Sequence, residues 1–188
     1  MKMHVDCFAC YFRQAQQAGS FSTADRALHW KTVRALADYL SRLPADADPT
    51  RTAEDIHRVI REALGDPDPY RKVKEEYTVA AERLEPLIAE LAGTGADPLL
   101  TAVKIAIAGN VIDFGAGGSF DVEGAIRGAL ERTFAIDHYE AFRAALEKAE
   151  TVLYLGDNTG EISFDKPLLR ILDGREVTFV TRGGTVLN

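Results

Sequence analysis

What the chain lacks narrows it first. It has only two cysteines, Cys7 and Cys10, three positions apart, so no framework of disulfides can join distant parts of the chain. That agrees with a reducing compartment. No apolar run approaches the roughly 18 residues needed to span a bilayer, and the N-terminus does not have the basic-then-apolar shape of a signal peptide. No cluster of Lys and Arg stands out, and 22 basic against 29 acidic residues give a formal charge of −7. This balance disfavours a nucleic-acid backbone or an anionic membrane surface as partner. The expectation is a cytoplasmic protein with neither nucleic acid nor membrane as partner. Internal repeats and low-complexity tracts are absent as well. His4, His29, His57 and His138 show no metal-type spacing, and each reads as a surface or satisfied histidine.

Strand character is also missing over most of the chain. With 188 residues, 46% hydrophobic and 27% charged, the sequence can bury a sizeable core as one domain or as a domain with an appendage. As far as residue 150 the pattern is almost wholly helical. Asp6 is placed to cap a helix over Cys7–Ala18, and Thr23 a longer one through Trp30, Val33, Leu36 and Leu40 to Pro44. Thr52 and Asp55 have the spacing of a capping box before the stripe Ile56, Val59, Ile60, Leu64. A long helix is expected over Tyr70–Leu91, kinked or broken at Pro86. Pro98–Ile112 is the least polar helix and should be central and buried. Asp121 then caps a helix through Leu130, and a last helix runs from Tyr139 to Ala149. The division expected is a helical domain over residues 1–95 and the start of an α/β domain over residues 96–188.

Only at Thr151–Leu155 does a short aliphatic, strand-like run appear, halted by Gly156. Gly160 permits a second tight bend, after which Ile162, Phe164, Leu168, Leu169 and Leu172 recur at helical spacing. A second strand over Glu176–Thr181 completes a βαβ unit. Two parallel strands leave unpaired edges, so the expectation is a piece of a longer α/β protein or a chain that completes its sheet with a partner, a homo-oligomer included. Asp157 and Asn158 fall at the carboxyl end of the first strand, just before a helix. Ligands bind in that crevice of open α/β sheets. The pair reads equally as hard-metal oxygen ligands or as an Asx turn and helix N-cap. Glu161 reads as a first-turn charge of the helix, and Asp165 and Lys166 as a solvated face, with Lys166 long enough to reach back toward an anion.

Two further stretches carry chemistry-bearing residues. Asn110 and Asp113 are three apart, at the end of the apolar helix, and read as turn residues or as a polar face toward a site. The glycines that follow, Gly115, Gly117 and Gly118, come after a helix and not a strand, so neither the dinucleotide fingerprint nor the P-loop fits. Cys7 and Cys10 share one face of a first helical turn, where a thiol pKa would be lowered. A zinc site would need two more ligands and only His4 is near, so core cysteines are the default, with a redox or second metal site as the other reading.

Taken together, Cys7-x-x-Cys10 with Arg13-Gln14, then Gly109-Asn110-Val111-Ile112-Asp113-Phe114-Gly115, then Leu155-Gly156-Asp157-Asn158-x-Gly160-Glu161-Ile162-x-Phe164-Asp165-Lys166 resemble the DUF89 family of damage-control phosphatases. The likeness is greatest to its small stand-alone archaeal and bacterial members with paired cysteines. The resemblance implies a helical N-terminal part packed on a Rossmann-like α/β/α core, here ending after its first βαβ unit. It implies a divalent metal (manganese, nickel, cobalt or magnesium) and hydrolysis of phosphate monoesters of small metabolites such as sugar phosphates. By the same resemblance Asp157 and Asn158 are metal ligands and Glu161 an acidic neighbour. Asn110, Asp113, Gly160 and Lys166 become substrate or phosphate contacts, with N–H groups near Gly160 and Glu161 cradling the phosphate. Family members continue beyond this point with a further aspartate ligand and a basic phosphate-binding motif. Two other readings stand beside it: an S-adenosylmethionine-dependent methyltransferase, because Val152–Gly160 resembles a first-strand glycine loop, and a non-catalytic metal or redox sensor working through Cys7 and Cys10.

Overall fold

Side-chain caps mark the start of four of the described helices, two of them away from the positions expected. A computed structural model describes residues 3–110 and 121–183, which divide into two compact units at Val73 and Lys74. Asp113 and the glycines at 115, 117 and 118 therefore lie outside the described residues. None of the described helices is long and apolar enough to cross a membrane.

The first unit is a helical group of α1 (Asp6–Ser22), α2 (Arg26–Ser41) and α3 (Pro49–Leu64), packed on one another. Asp6 does not cap α1; it lies inside the helix, which continues through Gly19 to Ser22 because the Thr23 N–H bonds the Gly19 carbonyl. Asp25, not Thr23, caps α2, accepting from the Ala27 N–H, while Thr23 Oγ1 accepts from the Asp25 N–H. α3 starts a turn earlier than a Thr52 capping box would give. Asp48 accepts from the Thr50 and Arg51 N–H groups, and Pro49, which has no N–H to satisfy, occupies the first turn. Leu36, Ile56 and Ile60 fill the interior of this unit.

The second unit takes in most of α4 (Arg71–Glu82), α5 (Glu85–Ala92) and the described residues after them as far as Arg182. The long helix expected over Tyr70–Leu91 is thus two helices, with Pro86 in the first turn of α5, where a missing N–H costs nothing. α5 belongs with the second unit, because Ile88 and Leu91 bury in one core with Ile105, Ala108, Ile126 and Phe164. α6 (Pro98–Gly109), capped by Asp97, is central as its composition implies. It packs against α9 (Ile162–Ile171) and α7 (Val122–Glu131), leaving Ile107 half exposed. Asp121 caps α7 through the Gly124 N–H, as expected. α8 (Tyr139–Lys148) is tied to the start of α6 by the Tyr139 hydroxyl, which donates to Asp97 Oδ2 at 2.7 Å.

The α/β part is the expected βαβ unit. β1 (Thr151–Leu155) and β2 (Glu176–Val180) run parallel, with Thr151 opposite Glu176 and Leu155 opposite Val180, and α9 lies between them in sequence. Side chains alternate along both strands. Val152, Tyr154, Val177 and Phe179 are half-buried, and Tyr154 stacks on Phe179 with ring centroids 5.4 Å apart. Leu153 and Leu155, 65% and 70% exposed, lie on the other face with Val180.

Candidate functional site

The turn between β1 and α9 gathers the polar residues. The Gly156 N–H bonds the Val180 carbonyl at 2.8 Å, one step past the last paired residues, so the strand register carries on into the loop. Gly160, at φ +85°, takes the left-handed conformation that an L side chain rarely adopts, and it turns the chain into α9. α9 begins at Glu161–Ile162 with no side-chain cap. Asp157 and Asn158 therefore do not serve as its N-cap. Their side chains enter a separate network.

Asn158 is its centre. Its Nδ2 donates to Glu161 Oε1 at 2.8 Å and to Asp157 Oδ2 at 3.1 Å. Its carbonyl oxygen points away from those carboxylates and accepts from Arg182 Nη1 at 3.2 Å. The amide orientation is assigned from this network, and the reverse would set an oxygen against two carboxylates. The same Arg182 nitrogen donates to Asp157 Oδ1 at 2.8 Å. Asn110 Nδ2, from the end of α6, reaches Glu161 Oε2 at 3.4 Å. Two amides thus hold Glu161, and Asp157 Oδ1 and Asn158 Oδ1 converge on one positive charge.

Three contacts hold this arrangement from behind. Thr159 Oγ1 shares a hydrogen bond of 2.9 Å with Thr78 Oγ1 on α4. Gly109, next to Asn110, lies so close to α9 that a Cβ there would stand 2.7 Å from Phe164 Cβ; only glycine lets α6 and α9 approach this closely. Tyr154 on β1 donates its hydroxyl to Asp165 Oδ1 on α9 at 2.6 Å. Burial pushes the Asp165 carboxyl above the ordinary carboxylate range and the Glu161 charge adds to this, while the Tyr154 bond pulls the other way. The Tyr154 hydroxyl is held well above its ordinary range by burial and by the Asp165 carboxylate.

Of the residues picked out from the sequence, Asn110, Asp157, Asn158 and Glu161 meet. Lys166 lies elsewhere on α9, paired with Glu85 of α5, which also accepts from Ser163 Oγ at 2.9 Å. Those two bonds hold the Glu85 carboxyl below its usual range. The Glu161 N–H, expected to cradle a phosphate, is directed at the Asn158 carbonyl at 3.3 Å. Cys7 and Cys10 lie in the first unit as free thiols; Cys10 is exposed and not a core residue, and its Sγ accepts from Gln14 Nε2. Arg182 was missed. The signal for it was present: in a parallel pair both strand carboxyl ends open on one edge, so the residues after Val180 belong to the same crevice as those after Leu155.

The donor set suits a hard divalent cation. One carboxylate oxygen and one amide carbonyl oxygen already converge on a cationic nitrogen, and oxygen ligands of these types are what such ions take. Among the described residues no group of three His, Cys, Asp or Glu side chains is placed to hold a metal ion. Fold and cluster together define an α/β protein with a carboxylate–amide pair at the carboxyl ends of parallel strands. Residues 3–188 match the Damage-control phosphatase ARMT1-like domain, and the chain belongs to this family. It is 32% identical over its whole length to a protein of Archaeoglobus fulgidus named Damage-control phosphatase, covering 67% of that relative. It is 28% identical to Damage-control phosphatase PH1575 of Pyrococcus horikoshii, covering 66% of it. The crystal structure of a DUF89 family protein (PH1575) from that organism superposes over the whole of this chain and 67% of the other, with a TM-score of 0.87. The chain spans about two thirds of the length of these relatives.

Proposed function

We propose that the chain carries the metal-holding part of a phosphomonoesterase site acting on small phosphorylated metabolites, sugar phosphates among them. The observation behind this reading is the convergence of Asp157 Oδ1 and Asn158 Oδ1 on one cationic position at the strand ends. These two residues would hold a divalent cation such as manganese, nickel, cobalt or magnesium. Bound there, such a cation would supply Lewis-acid chemistry toward a phosphoryl oxygen. The chain's own residues do the positioning. Glu161 takes the Asn158 amide nitrogen and so turns its carbonyl oxygen toward the ligand position, and Asn110 steadies Glu161 from α6. Hydrolysis breaks the bond between phosphorus and the metabolite oxygen, joins a water oxygen to phosphorus and leaves the metabolite as an alcohol. Relatives named phosphatases support this reading over a methyltransferase.

The test is calorimetry of the 188-residue chain with manganese, together with hydrolysis of p-nitrophenyl phosphate. Asp157→Ala is expected to abolish manganese binding and any metal-dependent hydrolysis while leaving the helical circular dichroism unchanged. Manganese binding at wild-type affinity in that variant would overturn the assignment.

A further inference from the structure

Arg182 stands where the proposed function needs a metal ion, and it is a cation supplied by the chain itself. Its Nη1 lies 2.8 Å from Asp157 Oδ1 and 3.2 Å from Asn158 Oδ1, the same two oxygens that face the ligand position. The strand register brings it there. Leu155 lies opposite Val180, and the same offset of 25 residues carried two steps further sets Asp157 opposite Arg182. Asn158 Nδ2, meanwhile, is taken up by Asp157 Oδ2 and Glu161 Oε1, so its oxygen has only the guanidinium side to face. A guanidinium donating to both oxygens keeps them aimed at one point and offsets the charge of Asp157, which has Glu161 nearby as a second carboxylate.

We propose that Arg182 is a placeholder cation: it holds Asp157 and Asn158 in their ligating arrangement while the site is free of metal, and it leaves both oxygens when a divalent cation binds. This rests on the reading of Asp157 and Asn158 as metal ligands. A guanidinium and a metal ion cannot share those oxygens at bonding distance without strong repulsion, so binding of one excludes the other. Arg182 and its Asp157 partner are both about half exposed, so the competition is modest and salt-dependent.

The proposal is tested by manganese titration of the wild-type chain, Arg182→Ala and Arg182→Lys, by calorimetry at low ionic strength. Arg182→Ala is expected to bind manganese roughly two- to fivefold more tightly than wild type, the order expected from losing one competing exposed ion pair of up to about 1 kcal/mol. Arg182→Lys, which restores the charge, returns the affinity toward the wild-type value. Titration of the wild type with diamagnetic magnesium, followed by arginine side-chain NMR, is expected to shift the guanidinium signal that is missing from Arg182→Ala. Affinity in Arg182→Ala equal to or weaker than wild type overturns the placeholder role while leaving the metal site standing. Absence of binding in all three proteins overturns the metal reading itself, and the placeholder with it.

Discussion

Replacing Tyr154 by Phe removes one oxygen atom and leaves the ring stacked on Phe179. The lost hydroxyl is the donor to Asp165 Oδ1 at 2.6 Å, and Asp165 is only 8% exposed. A hydrogen bond to a charged group contributes about 1.5–3 kcal/mol, so the expected loss at pH 7 is about 2 kcal/mol, or roughly 4–8 °C in Tm for a chain of this size. The loss should depend on pH in a definite sense. Burial raises the Asp165 pKa above its ordinary 3.8, so the folded chain binds the proton more readily than the unfolded one, and this group adds stability as pH falls through its folded pKa. The Tyr154 bond lowers that pKa, and its removal raises the pKa further. The penalty of Tyr154→Phe is therefore full near neutral pH and shrinks as pH falls from the variant's folded pKa to the lower folded pKa of the wild type, both above the ordinary 3.8. Trp30, the single tryptophan, lies in the first unit and would not report on this, so hydrogen exchange by mass spectrometry of β1 and α9 is the suitable assay. A loss below about 0.5 kcal/mol, or one equally large at pH 4 and pH 7, would refute the account, since neither fits a bond to a buried carboxylate.

Other outcomes follow from the same contacts. Gly109→Ala should destabilise the second unit by about 2 kcal/mol in urea melts, because its Cβ would meet Phe164 Cβ at 2.7 Å and neither backbone can give way cheaply; a neutral effect would mean that α6 and α9 slide easily. Glu161→Gln should weaken manganese binding roughly tenfold by calorimetry, since the partner that orients Asn158 loses its charge; an unchanged affinity would show that Asn158 is held without it. Lys166→Met removes only a partly exposed pair with Glu85 and should change stability by about 0.5 kcal/mol or less. In the wild type this pair holds the Glu85 pKa down, so its contribution is present above the ordinary 4.5 and is lost as pH falls through the lowered folded value, which pH-dependent melts of the two proteins would show.

Much of the fold was legible because it rests on local chemistry. Gly156 and the aliphatic run before it mark β1, Pro86 breaks the long helix, and Asp121 caps α7, each where the sequence puts it. The helix starts that differ, at Arg26 and Pro49, do so because several Asp and Thr residues compete to cap and backbone geometry chooses among them. Which core α5 joins was not legible. Ile88 and Leu91 look like any amphipathic stripe until one sees that their core includes Ile105 and Phe164.

The candidate site divides in the same way. The sequence by itself determined that a carboxylate and an amide stand next to each other at a strand end, and that Gly160 turns the chain there, because adjacency and backbone permissiveness are local properties. Tertiary structure decided what the pair does: Asp157 and Asn158 leave α9 uncapped and turn to Glu161 and Arg182. It also decided that Lys166 pairs with Glu85, and that Arg182, 25 residues beyond Asp157, is its neighbour. Parallel register is fixed by the packing of strands and helices, not by any one residue, and no reading of spacing along the chain contains it.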